Sequence, residues 1–156
     1  MRERLIILLA TGLGLGRLPF APGTFGSVLG LWYWWLLTRL PGELTQWIAV
    51  VAGILFAVWC TGVAARLLGR HDPPQVVLDE IVAIPVAFAL LSPASPVWQI
   101  LVAFVLFRVF DVWKPLVIRD AQKLPGGLGI VMDDLLAAAL ACVATYGLSL
   151  AKNSLS

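Results

Sequence analysis

Two pairs of adjacent carboxylates, Asp79-Glu80 and Asp133-Asp134, each stand at the mouth of an apolar run. An unpaired carboxylate buried among apolar groups is costly, and two side by side are worse. A divalent cation relieves that cost. Oxygen donors without a set of histidine or thiolate ligands favour Mg²⁺ or Ca²⁺ over zinc, and Mg²⁺ keeps waters that a phosphate can replace. The plainer alternative is that the acids occupy helix N-termini, where the dipole favours negative charge. Both pairs together with Asp111 on one face weigh toward the metal. The single histidine, His71, lies beside Asp72 and suits a surface or supporting position.

Arg108, Asp111 and Lys114 recur at helical spacing. Arg108 and Asp111 share a helix face, and Lys114 drifts only modestly from it. They read either as a salt bridge at a membrane edge or as a cationic wall for phosphate, with Asp111 orienting it or ligating metal. Pro115 ends that helix and fixes where Lys114 points. Gly126-Gly127, with Gly129 close behind, is either a simple turn or an anion nest feeding a helix start. The stretch Gly23-Thr24-Phe25-Gly26-Ser27 reads as a second such turn carrying two hydroxyls, with Thr24 as N-cap of the next helix.

The elements around these groups are apolar. Hydrophobic residues make up 60% and charged residues 13% of the 156-residue chain. Soluble domains carry about 25% charged residues, so the composition points to a bilayer. A net charge of +2 is too small to suggest a nucleic-acid partner. Cys60 and Cys142 sit in apolar runs as small hydrophobes, without metal-ligand spacing. The N-terminal MRERLIILLATG lacks a convincing cleavage site and reads as part of the mature chain. A short helix is expected over Ile6–Gly16, then apolar runs at Phe25–Leu40, Trp47–Leu68, Ile81–Leu91 and Val97–Phe110. A last helix runs from Ile130 to Leu150, followed by a polar tail. Only Trp47–Leu68 has the full spanning length without charge until Arg66. The runs before and after Ser92–Pro96 extend through Asp79-Glu80 and Asp111 if those acids ride on helix ends.

Alternation of the runs places Gly12–Ser27, Arg70–Glu80 and Asp111–Asp134 on one side. Arg2, Arg4, Arg17, Arg66, Arg70, Arg108, Lys114, Arg119 and Lys123 fall there, and only Arg39 and Lys152 fall opposite. The positive-inside rule assigns that side to the cytoplasm. The same alternation gathers every charge-rich motif on one face. The expected fold is one all-α domain over residues 1–156: a small multi-pass integral-membrane helical bundle with short polar cytoplasmic loops.

With these residues assembled, the chain resembles the phosphatidylglycerophosphatase A family. The resemblance rests on APGTFGS at 21–27, HDPPQVVLDE at 71–80 and FRVFDVWKPLVIRDAQKLPGGLGIVMDD at 107–134. Val117, Ala83 and Ala138 depart from the proline and glycines usual nearby, which touches loop shape and helix packing. The resemblance implies a Mg²⁺-dependent phosphatase of the bacterial inner membrane that removes the terminal phosphate of phosphatidylglycerophosphate. The product is phosphatidylglycerol, a precursor of cardiolipin. It implies Asp79, Glu80, Asp133 and Asp134 as metal ligands, and Asp79, Asp111, Asp134, Arg108 and Lys114 as catalytic. It further implies Thr24, Arg108, Lys114, Gly126 and Gly127 as substrate contacts, with Arg17 and His71 less secure. The mechanism expected is direct attack by metal-activated water. An aspartyl-phosphate route stays open, whereas no cysteinyl-phosphate loop is present. The alternatives are a small cation transporter using the acids as an ion site, a scaffold whose acids only cap helices, and a phosphotransferase acting on CDP-linked lipids. The transporter requires acids spread through the membrane depth, and the phosphotransferase a denser acidic signature than this chain has.

Overall fold

The computed structural model describes residues 1–154, so the last two residues of the expected polar tail lie outside it. Among the described residues there are α-helices and one short 3₁₀ turn, and no strand. The helices are α1 (Arg2–Ala10), α2 (Pro22–Leu37), α3 (Glu43–Leu68), α4 (Leu78–Ala87), α5 (Val97–Trp113), α6 (Leu116–Ala121) and α7 (Gly127–Ser154). Two of them, α3 with 26 residues and α7 with 28, are long and apolar enough to cross a membrane. Large side chains such as Leu55, Trp59 and Val143 lie exposed along them. Such faces suit lipid rather than water.

The central element is α4. It packs on α2, α3, α5 and α7, and Val82, Ala83, Ile84 and Ala87 are almost fully buried. Pro85 stands inside it and has no N–H to offer the preceding turn, and the helix stops two residues later. With 10 residues and a rise of about 1.5 Å each, it covers roughly half of a 30 Å hydrocarbon core. Its first turn carries Asp79 and Glu80. At its other end Phe88 meets Trp34 of α2, ring centroids 5.0 Å apart.

Close packing comes from small residues. Gly23, Gly26, Ser27 and Gly30 line one face of α2 at a spacing of three to four, the small-residue pattern of packed membrane helices. A side chain at Gly30 would press on Ile84 of α4, and one at Gly26 on Val77. A Cβ on Gly127 would collide with the Val58 carbonyl oxygen of α3, and one on Gly62 would come within 2.9 Å of the Gly127 nitrogen. The α3–α7 crossing is therefore a glycine-on-glycine contact.

Several expected boundaries shift. The first helix starts at Arg2 and ends before the glycines, and it packs Ala10 against Cys60 and Ala64 of α3. Helix α2 begins at Pro22, because proline is pre-set for a first helical turn. Ala21 is therefore the N-cap, and Thr24 lies within the helix rather than capping it. The stretch Gly23–Ser27 is likewise helix, not a turn. The last helix starts at Gly127, three residues before the expected Ile130. Asp79, Glu80 and Asp111 do ride on helices, as the extended reading of those runs requires. Cys60 is buried and Cys142 half-buried, both as free thiols.

The two cations expected opposite the charge-rich loops both stack on tryptophans. Arg39 lies 4.3 Å from the Trp35 ring and Lys152 4.5 Å from the Trp98 ring, an arrangement suited to a bilayer interface.

The glycine contact makes a testable contrast within one helix. Gly127→Ala forces a backbone carbonyl to move and is expected to destabilise by about 1–3 kcal/mol. Gly147→Ala meets nothing within 4 Å and is expected to leave the Tm in detergent unchanged or slightly raised. Thermal unfolding of the two purified variants checks both.

Candidate active site

Three segments distant in sequence meet at the end of the bundle where α2, α4 and α7 begin and α5 ends. The loop before α4 is tied to α1 by the Val77 N–H, which donates to the Ala10 carbonyl at 2.9 Å. Gly12 and Gly16 press against Val77 and the Gln75 backbone, where any larger residue would clash. Gly12 also takes φ +56°, which favours glycine. Gly23 leaves room for Glu80 and Arg108, since a Cβ there would collide with the Glu80 Oε1.

Within this end, carboxylate oxygens of Asp79, Glu80 and Asp134 lie within 4.8 Å of one another. Asp79 and Asp134 are buried, at 7% and 3% exposure. Asp79 Oδ1, Glu80 Oε2 and Asp134 Oδ2 are buried with no hydrogen-bond partner. A buried carboxylate oxygen without a donor is expensive, and three together repel. The helix dipole accounts for them only in part: Asp79 and Glu80 do stand in the first turn of α4, but Asp134 lies beyond the first turn of α7. The donor set consists of carboxylate oxygens near enough for one ion to touch all three. It therefore fits a hard divalent cation such as Mg²⁺.

Asp133 stands apart from that trio. Its Oδ2 accepts from Lys114 Nζ at 2.7 Å, and its Oδ1 accepts from the Asp134 N–H at 3.1 Å. Lys114 is the C-cap of α5 in a left-handed conformation, φ 46° and ψ 70°, rather than the extended one that a following proline favours. That twist swings its side chain toward α7. Burial alone would lower the Lys114 ammonium, and the hydrogen bond and charge of Asp133 outweigh it, so its pKa is held above the ordinary lysine value. Six residues earlier Arg108 Nη1 pairs with Asp111 Oδ2 at 2.8 Å, lies 3.9 Å from Glu80 Oε1 and donates to Ser27 Oγ at 3.3 Å. The arginine and lysine are thus held by Asp111 and Asp133, leaving Asp79, Glu80 and Asp134 for a cation.

The remaining expected residues divide. Thr24 is half-buried and lines an apolar groove beside Arg108. Gly126 is exposed at φ +62°. Gly127 is buried against α3, so close packing requires a glycine there whatever it does for an anion. Arg17 and His71 are exposed. Asp72 accepts from Gln122 Nε2 at 3.2 Å, linking the loop before α4 to the segment between α6 and α7. Two features of the site were not read as such from sequence. Ser27 serves as a partner of Arg108, and the α2 glycines let α4 approach. The small-residue period of α2 is the signal that carries both.

Comparison with known proteins bears on this geometry. The sequence profile described as Phosphatidylglycerophosphatase A matches residues 8–149. Phosphatidylglycerophosphatase A of Escherichia coli (strain K12) is 36% identical over 141 residues, covering 89% of this chain and 80% of that protein. Phosphatidylglycerophosphatase A of Haemophilus influenzae is 37% identical over 144 residues, covering 92% and 88%. A Bacteroides thetaiotaomicron protein provisionally named phosphatidylinositol-3-phosphatase is 36% identical over 136 residues, covering 84% and 85%. No solved structure matches the chain. The matched span holds the acid trio, both cation–carboxylate pairs and the α2 glycines, and on that span the chain belongs to the phosphatidylglycerophosphatase A family and is a phosphatase.

Proposed function

We propose that the chain hydrolyses phosphatidylglycerophosphate to phosphatidylglycerol and inorganic phosphate with Mg²⁺ held by Asp79, Glu80 and Asp134. The observation that carries this is the trio of buried, unpartnered carboxylate oxygens beside two anchored cations. Bound there, Mg²⁺ would supply Lewis-acid charge that offsets the phosphate oxygens and acidifies water. Arg108 and Lys114 present positive charge to the transferring phosphoryl group. Asp111 and Asp133 keep those side chains in place. The second carboxylate oxygen of Asp79 or Asp134, the one not turned to the ion, takes the proton from the attacking water. The new P–O bond forms to that water, the ester P–O bond breaks, and the proton returns to the departing glycerol oxygen.

The cation asymmetry of the sequence and the gathering of the site at one end support an inner-membrane bundle whose site opens to the cytoplasm. Acids clustered at one end also weigh against an ion path through the membrane.

Purified protein is expected to release inorganic phosphate from phosphatidylglycerophosphate with Mg²⁺ and to stop in EDTA. Retention of full activity in EDTA removes the metal from the mechanism. Faster release from phosphatidylinositol 3-phosphate moves the substrate assignment to that lipid.

Asp134→Asn is expected to lower turnover by about a hundredfold or more. It also removes one of three repelling charges. Its Tm in EDTA should therefore match or exceed that of the unmodified protein, while the Tm rise on adding Mg²⁺ should be lost. An unchanged Mg²⁺ response takes Asp134 out of the metal site.

Arg108→Lys keeps the charge but loses the planar guanidinium whose Nη1 reaches both Asp111 and Ser27. A fall in kcat of about tenfold or more is expected, read in the same phosphate-release assay.

A further inference from the structure

Arg108 belongs to two features at once. On one side it joins Glu80, Asp111 and Ser27. On the other it lines an open groove of about 740 Å³, walled by Phe104, Val105, Val109, Val112 and Trp113 of α5 and by Thr24 of α2. Apart from Arg108 and Thr24 the lining is apolar. The α5 wall extends along a stripe of exposed Leu101, Val105, Val109 and Val112, spaced three to four apart and so on one helix face. Val112 and Trp113, at 74% and 70% exposure, are the most open of these side chains. They immediately precede Lys114, and a tryptophan there suits the headgroup level of a bilayer.

The geometry points to this groove as the seat of an acyl chain of the substrate lipid, which enters sideways from the bilayer along α5 while its phosphate passes Arg108 to the acid trio. The inference rests on the phosphatase reading and adds how the lipid is held. A polar head and an apolar tail must be bound by adjoining surfaces of opposite character, and Arg108 is the residue where such surfaces meet. Lys114 adds a second cation at the same end of α5, so the anionic head is drawn to that end. Exposed apolar faces elsewhere, such as Ile48 and Leu55 of α3 or Val143 of α7, lack a charged member of the site and read as contacts to bulk lipid.

The experiment uses the unmodified protein in phosphatidylcholine vesicles with a trace of phosphatidylglycerophosphate bearing a photoreactive group within one acyl chain. Label is expected on Phe104, Val105 and Val109. Excess unlabelled phosphatidylglycerophosphate should displace it, and added phosphatidylcholine should not. Equal labelling of Ile48, Leu55 and Val143, or labelling indifferent to the competitor, means bulk lipid only and overturns the inference.

A second measurement fills the groove. Val109→Trp is expected to lower kcat/KM for the diacyl substrate about tenfold or more by overpacking. Hydrolysis of the deacylated headgroup ester should be spared, and Val143→Trp should change neither. An equal loss on both substrates overturns the groove while leaving the phosphatase reading intact. No phosphate release from either substrate by the unmodified protein overturns that reading instead, and the groove with it.

Discussion

Mutual repulsion among three crowded, largely buried carboxylates sets the terms for this molecule. Asp79, Glu80 and Asp134 come from two helices and carry carboxylate oxygens within 4.8 Å of one another, and one buried oxygen of each has no protein hydrogen-bond donor. Nothing in the intrinsic preferences of the chain favours that arrangement. It persists because the helices around it are locked by contacts made elsewhere: α2 on α4 through a glycine face, and α3 on α7 through Gly62 and Gly127. The apolar packing of the bundle holds open a site that electrostatics alone would disperse, as buried charge at a functional site generally requires.

The neighbouring charges are arranged differently. Arg108 and Lys114 each have a carboxylate of their own at 2.7–2.8 Å, which neutralises them and fixes their direction. A cation held in this way remains available to a phosphate, because guanidinium and ammonium groups have more donors than one carboxylate uses. The site therefore has two zones built from the same residue types. In one, acid and base are matched. In the other, acid is left over.

Much of this was legible in the chain. Charges are conspicuous in apolar runs, and alternation of those runs already gathered them at one end. The positions of Asp79 and Glu80 on α4 and of Asp111 on α5 followed from the same reading. The division of labour between Asp133 and Asp134 was not legible. Adjacent letters in a sequence look equivalent, yet on a helix they point about 100° apart. One meets Lys114 and the other meets Asp79 and Glu80, and only the phase of α7 decides which. That phase is set by how α7 packs on its neighbours, with Gly127 seated against the α3 backbone. The capping role expected of Thr24 failed for a similar reason, since Pro22 opens the helix earlier.

The half-length of α4 has a further consequence. An acidic cluster reached by water is a natural proton conductor, and a bilayer that stores a potential cannot tolerate a wire through it. Behind Asp79 and Glu80 the helix runs through Ile84 and Pro85 into the Trp34–Phe88 contact, an aromatic stopper where α4 ends. Ile84 and Phe88 are fully buried in one cluster with Trp34 and Phe107, so any path for water onward from the acids along α4 would first have to open that apolar packing.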